Sequence, residues 1–208
     1  MTDQQILDRA LTLAEMAPHD SVSMATLAGR EGRFTDLPPV NEPPITHLEG
    51  SEAPAFLLTN AKRGIGRGSK RNTVSPDGDF RTIVVVTGRR TLCLIGQQSG
   101  DETIEIPHES VAGVDYSTGF RGHRLELRTP RQAYHCWVHR KTAESTLSEA
   151  AAFIAEREPD EPEEIESEDA NRIMYRGRPV RMESETEDDA QEQDRTITYR
   201  GKTVDNSS

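Results

Sequence analysis

Thr82-Ile83-Val84-Val85-Val86-Thr87-Gly88-Arg89-Arg90-Thr91-Leu92-Cys93-Leu94-Ile95 decides the fold. Two runs rich in β-branched and aliphatic residues flank Gly88-Arg89-Arg90, which reads as a tight turn, so the segment predicts an antiparallel hairpin. Similar runs extend it in both directions. Ala55–Thr59 precedes it, and Thr103–Ile106, Val114–Ser117, Arg124–Arg128 and Ala133–Val138 follow, with Thr129-Pro130-Arg131-Gln132 joining the last two. Leu125 and Leu127 alternate with charged neighbours, the period of a strand with one buried face. The period then changes: Leu147, Ala150, Ala151 and Ile154 follow i, i+3, i+4, i+7 and predict a helix from about Lys141 to Arg157. Short antiparallel strands followed by one amphipathic helix predict a small bent sheet or barrel capped by that helix.

The order of these elements resembles that of prokaryotic pleckstrin-homology-like domains. Thr82–Ile95 is similar to their strand-turn-strand. Ile104-Glu105-Ile106-Pro107-His108-Glu109-Ser110-Val111-Ala112-Gly113-Val114 resembles their I-P-x-x-x-I-x-x-V segment, with Val111 at the second apolar position. Gly119 and Gly122, ahead of Leu125-Glu126-Leu127, match a following G-x-x-G stretch. The resemblance covers roughly Ile45 to Arg157. It implies a mainly β, bent two-sheet barrel of about seven strands with a C-terminal helix. It also implies ligand, lipid or protein binding, often with self-association, and no catalysis.

The flanks differ from this middle. Thr2-Asp3-Gln4-Gln5 has the form of a capping box, and Ile6, Leu7, Ala10, Leu11 and Ala14 recur at helical spacing, predicting a helix over residues 3–17 ended by Pro18. Ser21 to Ala28 predicts a second short helix stopped by Gly29. Leu37 to Pro44 holds four prolines and reads as a stiff linker. Glu158 to Asp169 is acidic and proline-containing, the composition of a solvated linker. Two related segments follow, Arg172–Val180 and Thr196–Val204, with Tyr175 and Tyr199 at equivalent places. Each sets Arg-Gly between two short strand-like pieces, a two-residue hairpin turn. They resemble small Tyr-Arg-Gly hairpin modules appended to other prokaryotic proteins. Tyr175, Arg176, Gly177, Tyr199, Arg200 and Gly201 are therefore candidate partner contacts. The expected organisation is an N-terminal helical segment with linker over 1–44, the barrel over 45–157, and an acidic, largely disordered tail over 158–208.

Composition bounds the function. Of the 208 residues 33% are hydrophobic, against ~45% in an ordinary globular domain, so a fully folded chain would have a thin core. No run approaches the ~18 apolar residues that span a bilayer, and the N-terminus lacks a basic-then-apolar leader pattern. The expectation is a soluble, cytoplasmic protein whose membrane association, if any, is superficial. The net charge of -11 is uneven: residues 1–50 carry 3 basic and 8 acidic side chains, 51–155 carry 14 and 11, and 156–208 carry 8 and 17. The basic residues are 21 Arg and 4 Lys. This resembles the proteins of archaeal halophiles that accumulate salt, whose surface carboxylates keep them hydrated, although GC-rich codon usage gives the same Arg bias. At 1 M salt the Debye length is ~3 Å, so long-range attraction is nearly lost.

The chemistry-bearing stretch is Lys62-Arg63-Gly64-Ile65-Gly66-Arg67-Gly68-Ser69-Lys70-Arg71. Glycine backbone with donor side chains suits phosphate oxygens. The resemblance places a headgroup-binding loop between the first two strands, so Lys62, Arg63, Arg67, Lys70 and Arg71 are the candidate phosphate ligands. The spacing fits neither a P-loop nor a dinucleotide-binding G-x-G-x-x-G. A solvated loop whose arginines offset the acidic flanks is the plainer reading. Nucleic acid is disfavoured, because the stretch lacks aromatics for base stacking and the chain is acidic. His135-Cys136-x-x-His139 holds metal-ligand residue types, but neighbours on a strand point to opposite faces, so no metal site is expected. Two cysteines, Cys93 and Cys136, exclude a disulfide-rich scaffold, and Cys93 reads as a core thiol. Trp137, the single tryptophan, is assigned by default to core packing. No catalytic residues and no cofactor are expected. The leading expectation is a non-enzymatic protein-interaction or scaffolding module. It would use a sheet edge, the groove beside the last helix, the helix at Ile6–Ala14, or a second copy of the chain. The alternative is a peripheral membrane protein that binds anionic lipid headgroups through residues 62–71.

Overall fold

The computed structural model describes residues 1–30, 38–50, 52–157, 174–175 and 178–179. The chain divides into two compact units, Met1–Glu163 and Glu164–Ser208. The first unit is mainly β. Strands β1 (Pro54–Asn60), β2 (Ile65–Arg67), β3 (Thr73–Val74), β4 (Thr82–Thr87), β5 (Arg90–Ile95), β6 (Glu102–Pro107), β7 (Gly113–Ser117), β8 (His123–Arg128) and β9 (Ala133–Val138) form two antiparallel sheets. One sheet has the order β1-β4-β5-β6 and the other β3-β2-β9-β8-β7. Helices α1 (Asp3–Met16) and α2 (Met24–Leu27) precede the strands, and α3 (Glu144–Ala155) follows them. This is the bent two-sheet architecture with a C-terminal helix that the resemblance implied, and each of the seven sequence-predicted strands is present.

The hairpin that decides the fold pairs Thr82 with Ile95 and Val86 with Thr91. Its residues are apolar on both faces because both faces are covered. Val84, Val86, Cys93 and Ile95 point into the space between the sheets, where Leu125, Leu127, Cys136 and Val138 meet them. Leu147, Ala150, Ala151 and Ile154 close that space from α3, in the pattern their spacing predicted. Ile83, Val85, Leu92 and Leu94 point the other way and are covered by Ala10, Val22, Leu27, Val40, Ile45 and Leu48. A continuous apolar run is what a strand buried on both faces requires, whereas the alternation in β8 marks a sheet whose outer face is open.

The Pro-rich stretch expected as a linker is thus part of the first unit. Pro44 and Ile45 are buried in a 3-10 turn, Pro44–His47. The Arg81 amide donates to the Pro39 carbonyl at 2.7 Å, and the Asp101 carboxylate accepts from the Asn41 and Glu42 amides at 2.8 Å each. Prolines stiffen this segment, and apolar cover for the first sheet explains why it packs. The helix α1 likewise turns Ile6, Leu7, Leu13 and Ala14 onto the same cluster, so its apolar stripe serves its own unit. Its start has the expected capping box: the Gln5 amide donates to Thr2 Oγ1 at 3.3 Å and the Thr2 amide to Gln5 Oε1 at 2.9 Å. No helix among the described residues is long and apolar enough to cross a membrane.

In the second unit, β10 (Met174–Tyr175) pairs antiparallel with β11 (Arg178–Pro179), Tyr175 opposite Arg178. This ladder brackets Arg176 and Gly177, where the hairpin turn was expected. Arg176 and Gly177 themselves, and the whole second copy with Tyr199, Arg200 and Gly201, lie outside the described residues.

Candidate anion-binding end of the barrel

The basic stretch 62–71 is not one loop. Ile65–Arg67 is strand β2, hydrogen-bonded between β3 and β9, with Ile65 opposite both Val74 and Cys136. Gly64 and Gly66 allow this crowding. A Cβ on Gly64 would stand 1.5 Å from the Val74 carbonyl oxygen, and one on Gly66 would stand 2.9 Å from the Ser69 carbonyl oxygen. Close strand approach therefore accounts for Gly64 and Gly66, and the positive φ of +70° for Gly68.

The inserted strand divides the five candidate ligands. Lys62 and Arg63 lie before it, near the Val138 end of β9. Gly68 lies after it, with its amide on the Ala133 carbonyl at 2.8 Å, so Lys70 and Arg71 belong to the Ala133 end. Five strand steps separate the two ends, about 17 Å. Arg67, between them, is held by the Glu102 carboxylate. The structure does not gather the five into one site.

It gathers a different set instead. Asn60 ends β1, and its Oδ1 accepts from the Lys62 amide at 3.0 Å and the Arg63 amide at 2.9 Å, fixing the turn that presents both side chains. The His139 amide donates to the Thr59 carbonyl at 2.8 Å, which brings the end of β9 beside the end of β1. The loop between β7 and β8 completes the site. Its Gly122 amide donates to the Gly119 carbonyl at 3.1 Å, and Gly122 has φ +144°, a conformation that favours glycine. His123 ties this loop to the third segment, accepting from the Gly119 amide at 3.3 Å while its Nε2 lies 3.1 Å from the Arg140 carbonyl.

These segments surround an open cleft of about 430 Å³ lined by Asn60, Ala61, Lys62, Arg63, Phe120, Arg121, Val138, His139 and Arg140. Four cationic side chains line it, and among the described residues no carboxylate does. None of the four forms an ion pair among the described residues. Arginines elsewhere on the unit are commonly neutralised: Arg89 by Glu49, Arg90 by Glu52 and Glu105, Arg128 by Asp115. Arg63 is oriented from behind, its guanidinium carbon 4.4 Å from the centroid of the Trp137 ring, with Arg124 at 5.8 Å. Trp137 therefore lies on the outer sheet face, half-buried, and not in the core. Its neighbours Cys136 and Val138 took the inward positions. Cations around a concave surface, one of them oriented by an aromatic ring and none ion-paired among the described residues, suit phosphate or carboxylate oxygens.

The remaining sequence candidates fall elsewhere. Cys136 is in the core, whereas His135 lies beside Glu126, Nδ1 3.2 Å from Oε2, and burial holds its pKa below the ordinary range. Among the described residues no group of three or more His, Cys, Asp or Glu could hold a metal ion. Sequence reasoning missed Phe120, Arg121 and Arg140. Gly119-Phe120-Arg121-Gly122 did carry a signal, an aromatic and a cation raised between two glycines, but only strand pairing shows that it meets Lys62 and Arg63.

No protein-family model and no curated protein matches the chain. Among solved structures, the N-terminal PH domain of Vps36 is similar at 17% identity, over 52% of this chain and 83% of that one, with a TM-score of 0.41. An N-terminally truncated linker-DH/PH region of p115-RhoGEF is similar at 12% identity and a TM-score of 0.29, over 74% of this chain and 40% of that one. The functional reading rests on the chain's own residues.

Proposed function

We propose that this protein is a non-enzymatic binding module that docks on anionic lipid headgroups through the end of the barrel formed by Lys62, Arg63, Arg121 and Arg140. One observation carries the reading: four cations from three separate chain segments line one cleft that, among the described residues, holds no carboxylate. Headgroup phosphates would accept from Arg63 and Arg121, with Lys62 and Arg140 adding charge at the rim. The reading keeps two of the five residues singled out in the sequence and adds two. A protein-interaction or scaffolding role is second, favoured by the exposed Asp115, Tyr116 and Ser117 on the edge strand β7.

The test is flotation with phosphatidylglycerol-containing vesicles at low salt, comparing two alanine variants of the full chain. Replacing Lys62, Arg63, Arg121 and Arg140 should remove most of the binding, and replacing Lys70 and Arg71 at the other end should leave most of it. Equal losses from both variants would mean diffuse attraction to positive charge, and the proposed site would fall.

A further inference from the structure

Phe120 is 89% exposed, the most exposed large apolar side chain among the described residues. It stands at the rim of the cationic cleft, on a turn closed by Gly119 and Gly122 and tied to His123. An apolar ring left in water forgoes the free energy of burial, and its immediate neighbours in the cleft are mainly charged or polar. An exposed phenyl ring beside Lys62, Arg63, Arg121 and Arg140, all lining one cleft, matches a bilayer surface. The ring fits the acyl boundary while the cations reach the phosphates just above it. A free phosphate would give the ring nothing to bury against, and a soluble acidic partner would need an apolar pocket beside its carboxylates to match both, whereas a bilayer presents both layers everywhere.

We infer that Phe120 is a membrane wedge, inserted into the headgroup–acyl boundary of an anionic bilayer when the cationic end docks. The inference rests on that docking and adds its salt dependence. Screening removes the attraction of the four cations as the Debye length shrinks, but burial of a phenyl ring is not screened. Vesicle binding by the wild type should therefore fall with salt to a residual level and not to zero. Burying one Phe corresponds to about a ten- to hundredfold gain in affinity, so Phe120→Ala should weaken binding by that factor. At multimolar salt it should remove the residue altogether from the binding balance and with it the remaining binding.

The experiment measures partitioning onto phosphatidylglycerol–phosphatidylcholine vesicles, from low to multimolar salt. It uses the wild type, Phe120→Ala, and the variant lacking the four cations. Phe120→Trp is added with brominated lipids; quenching beyond that of Trp137 in the wild type places the side chain in the acyl boundary. Loss of the salt-resistant binding in Phe120→Ala, together with extra quenching in Phe120→Trp, supports the wedge. Unchanged binding by Phe120→Ala at every salt, with loss in the four-cation variant, overturns the wedge and leaves the cationic site standing. Absence of vesicle binding by the wild type overturns both. Should Phe120→Ala instead abolish self-association seen by sedimentation without altering vesicle binding, the ring packs against a second copy and the inference is wrong.

Discussion

Cys93 on β5 and Cys136 on β9 bring their sulfurs to 3.8 Å across the interior, one from each sheet. Both thiols are fully buried. The shared hydrogen bond and the burial raise the Cys93 pKa well above the ordinary thiol value, so neither factor favours the nucleophilic thiolate. An aromatic disulfide reagent should release almost no chromophore from the native protein at mildly alkaline pH, and two equivalents after unfolding in guanidinium. Rapid reaction of native protein would show that the sheets part readily.

Arg90 and Glu52 form the most buried ion pair of the unit. Arg90 donates from Nε to Glu52 Oε1 at 2.9 Å and from Nη2 to Oε2 at 2.8 Å, and Thr87 donates to Oε1 at 2.8 Å. Burial alone would raise the Glu52 pKa, but these bonds and the Arg90 charge hold it at about 2. The folded pKa lies below the unfolded one, so the stabilisation is full above about pH 4.5 and is lost as the pH falls toward 2. Glu52→Gln should cost about 3 kcal/mol at neutral pH, measured by urea unfolding, and the cost should shrink in acid.

His108 supplies a second, separate pH window. It is buried, with Nε2 3.0 Å from Thr91 Oγ1 and Nδ1 without a partner among the described residues. Burial first, and the Arg157 charge second, lower its pKa to about 4 from 6.5. The unfolded chain binds the proton more readily, so stability is full above about pH 6.5 and declines toward pH 4. Urea midpoints of the wild type should drop across that window, and His108→Leu should flatten the slope there. An unchanged slope in the variant would assign the titration to another group.

The stack of Arg63 on Trp137 has an optical readout, because Trp137 is the only tryptophan. Arg63→Ala should expose the ring, shift its emission to the red and cost about 0.5–1 kcal/mol. Titration of the wild type with anionic vesicles should alter the same emission as Arg63 is drawn toward phosphate. A spectrum indifferent to the variant would mean that the pair is not populated in solution.

Local pattern made much of this fold legible. Leu125 and Leu127, alternating with charges, set strand β8; Leu147, Ala150, Ala151 and Ile154 set the inner face of α3; Thr2 and Gln5 set the start of α1. Each depends on residues within a few positions of one another, where backbone geometry alone fixes the period. The packing of the Pro-rich stretch around Val40 is not legible locally, because proline signals stiffness whether or not its neighbours are buried. Only the second apolar face of the β4–β5 hairpin, with Ile83, Val85, Leu92 and Leu94, gave that stretch something to cover.

The candidate site depended on tertiary structure almost entirely. The sequence by itself determined that cations and glycines abound in residues 62–71, and it was silent on what they face. Strand β2 inserted between β3 and β9, sent Lys70 and Arg71 to one end and left Lys62 and Arg63 at the other. The ends of β1 and β9 and the loop after β7 then brought Phe120, Arg121 and Arg140 to that second end. Period and propensity act between near neighbours along the chain. Which charges share a surface is set by pairing between strands far apart in sequence, and no local pattern encodes it.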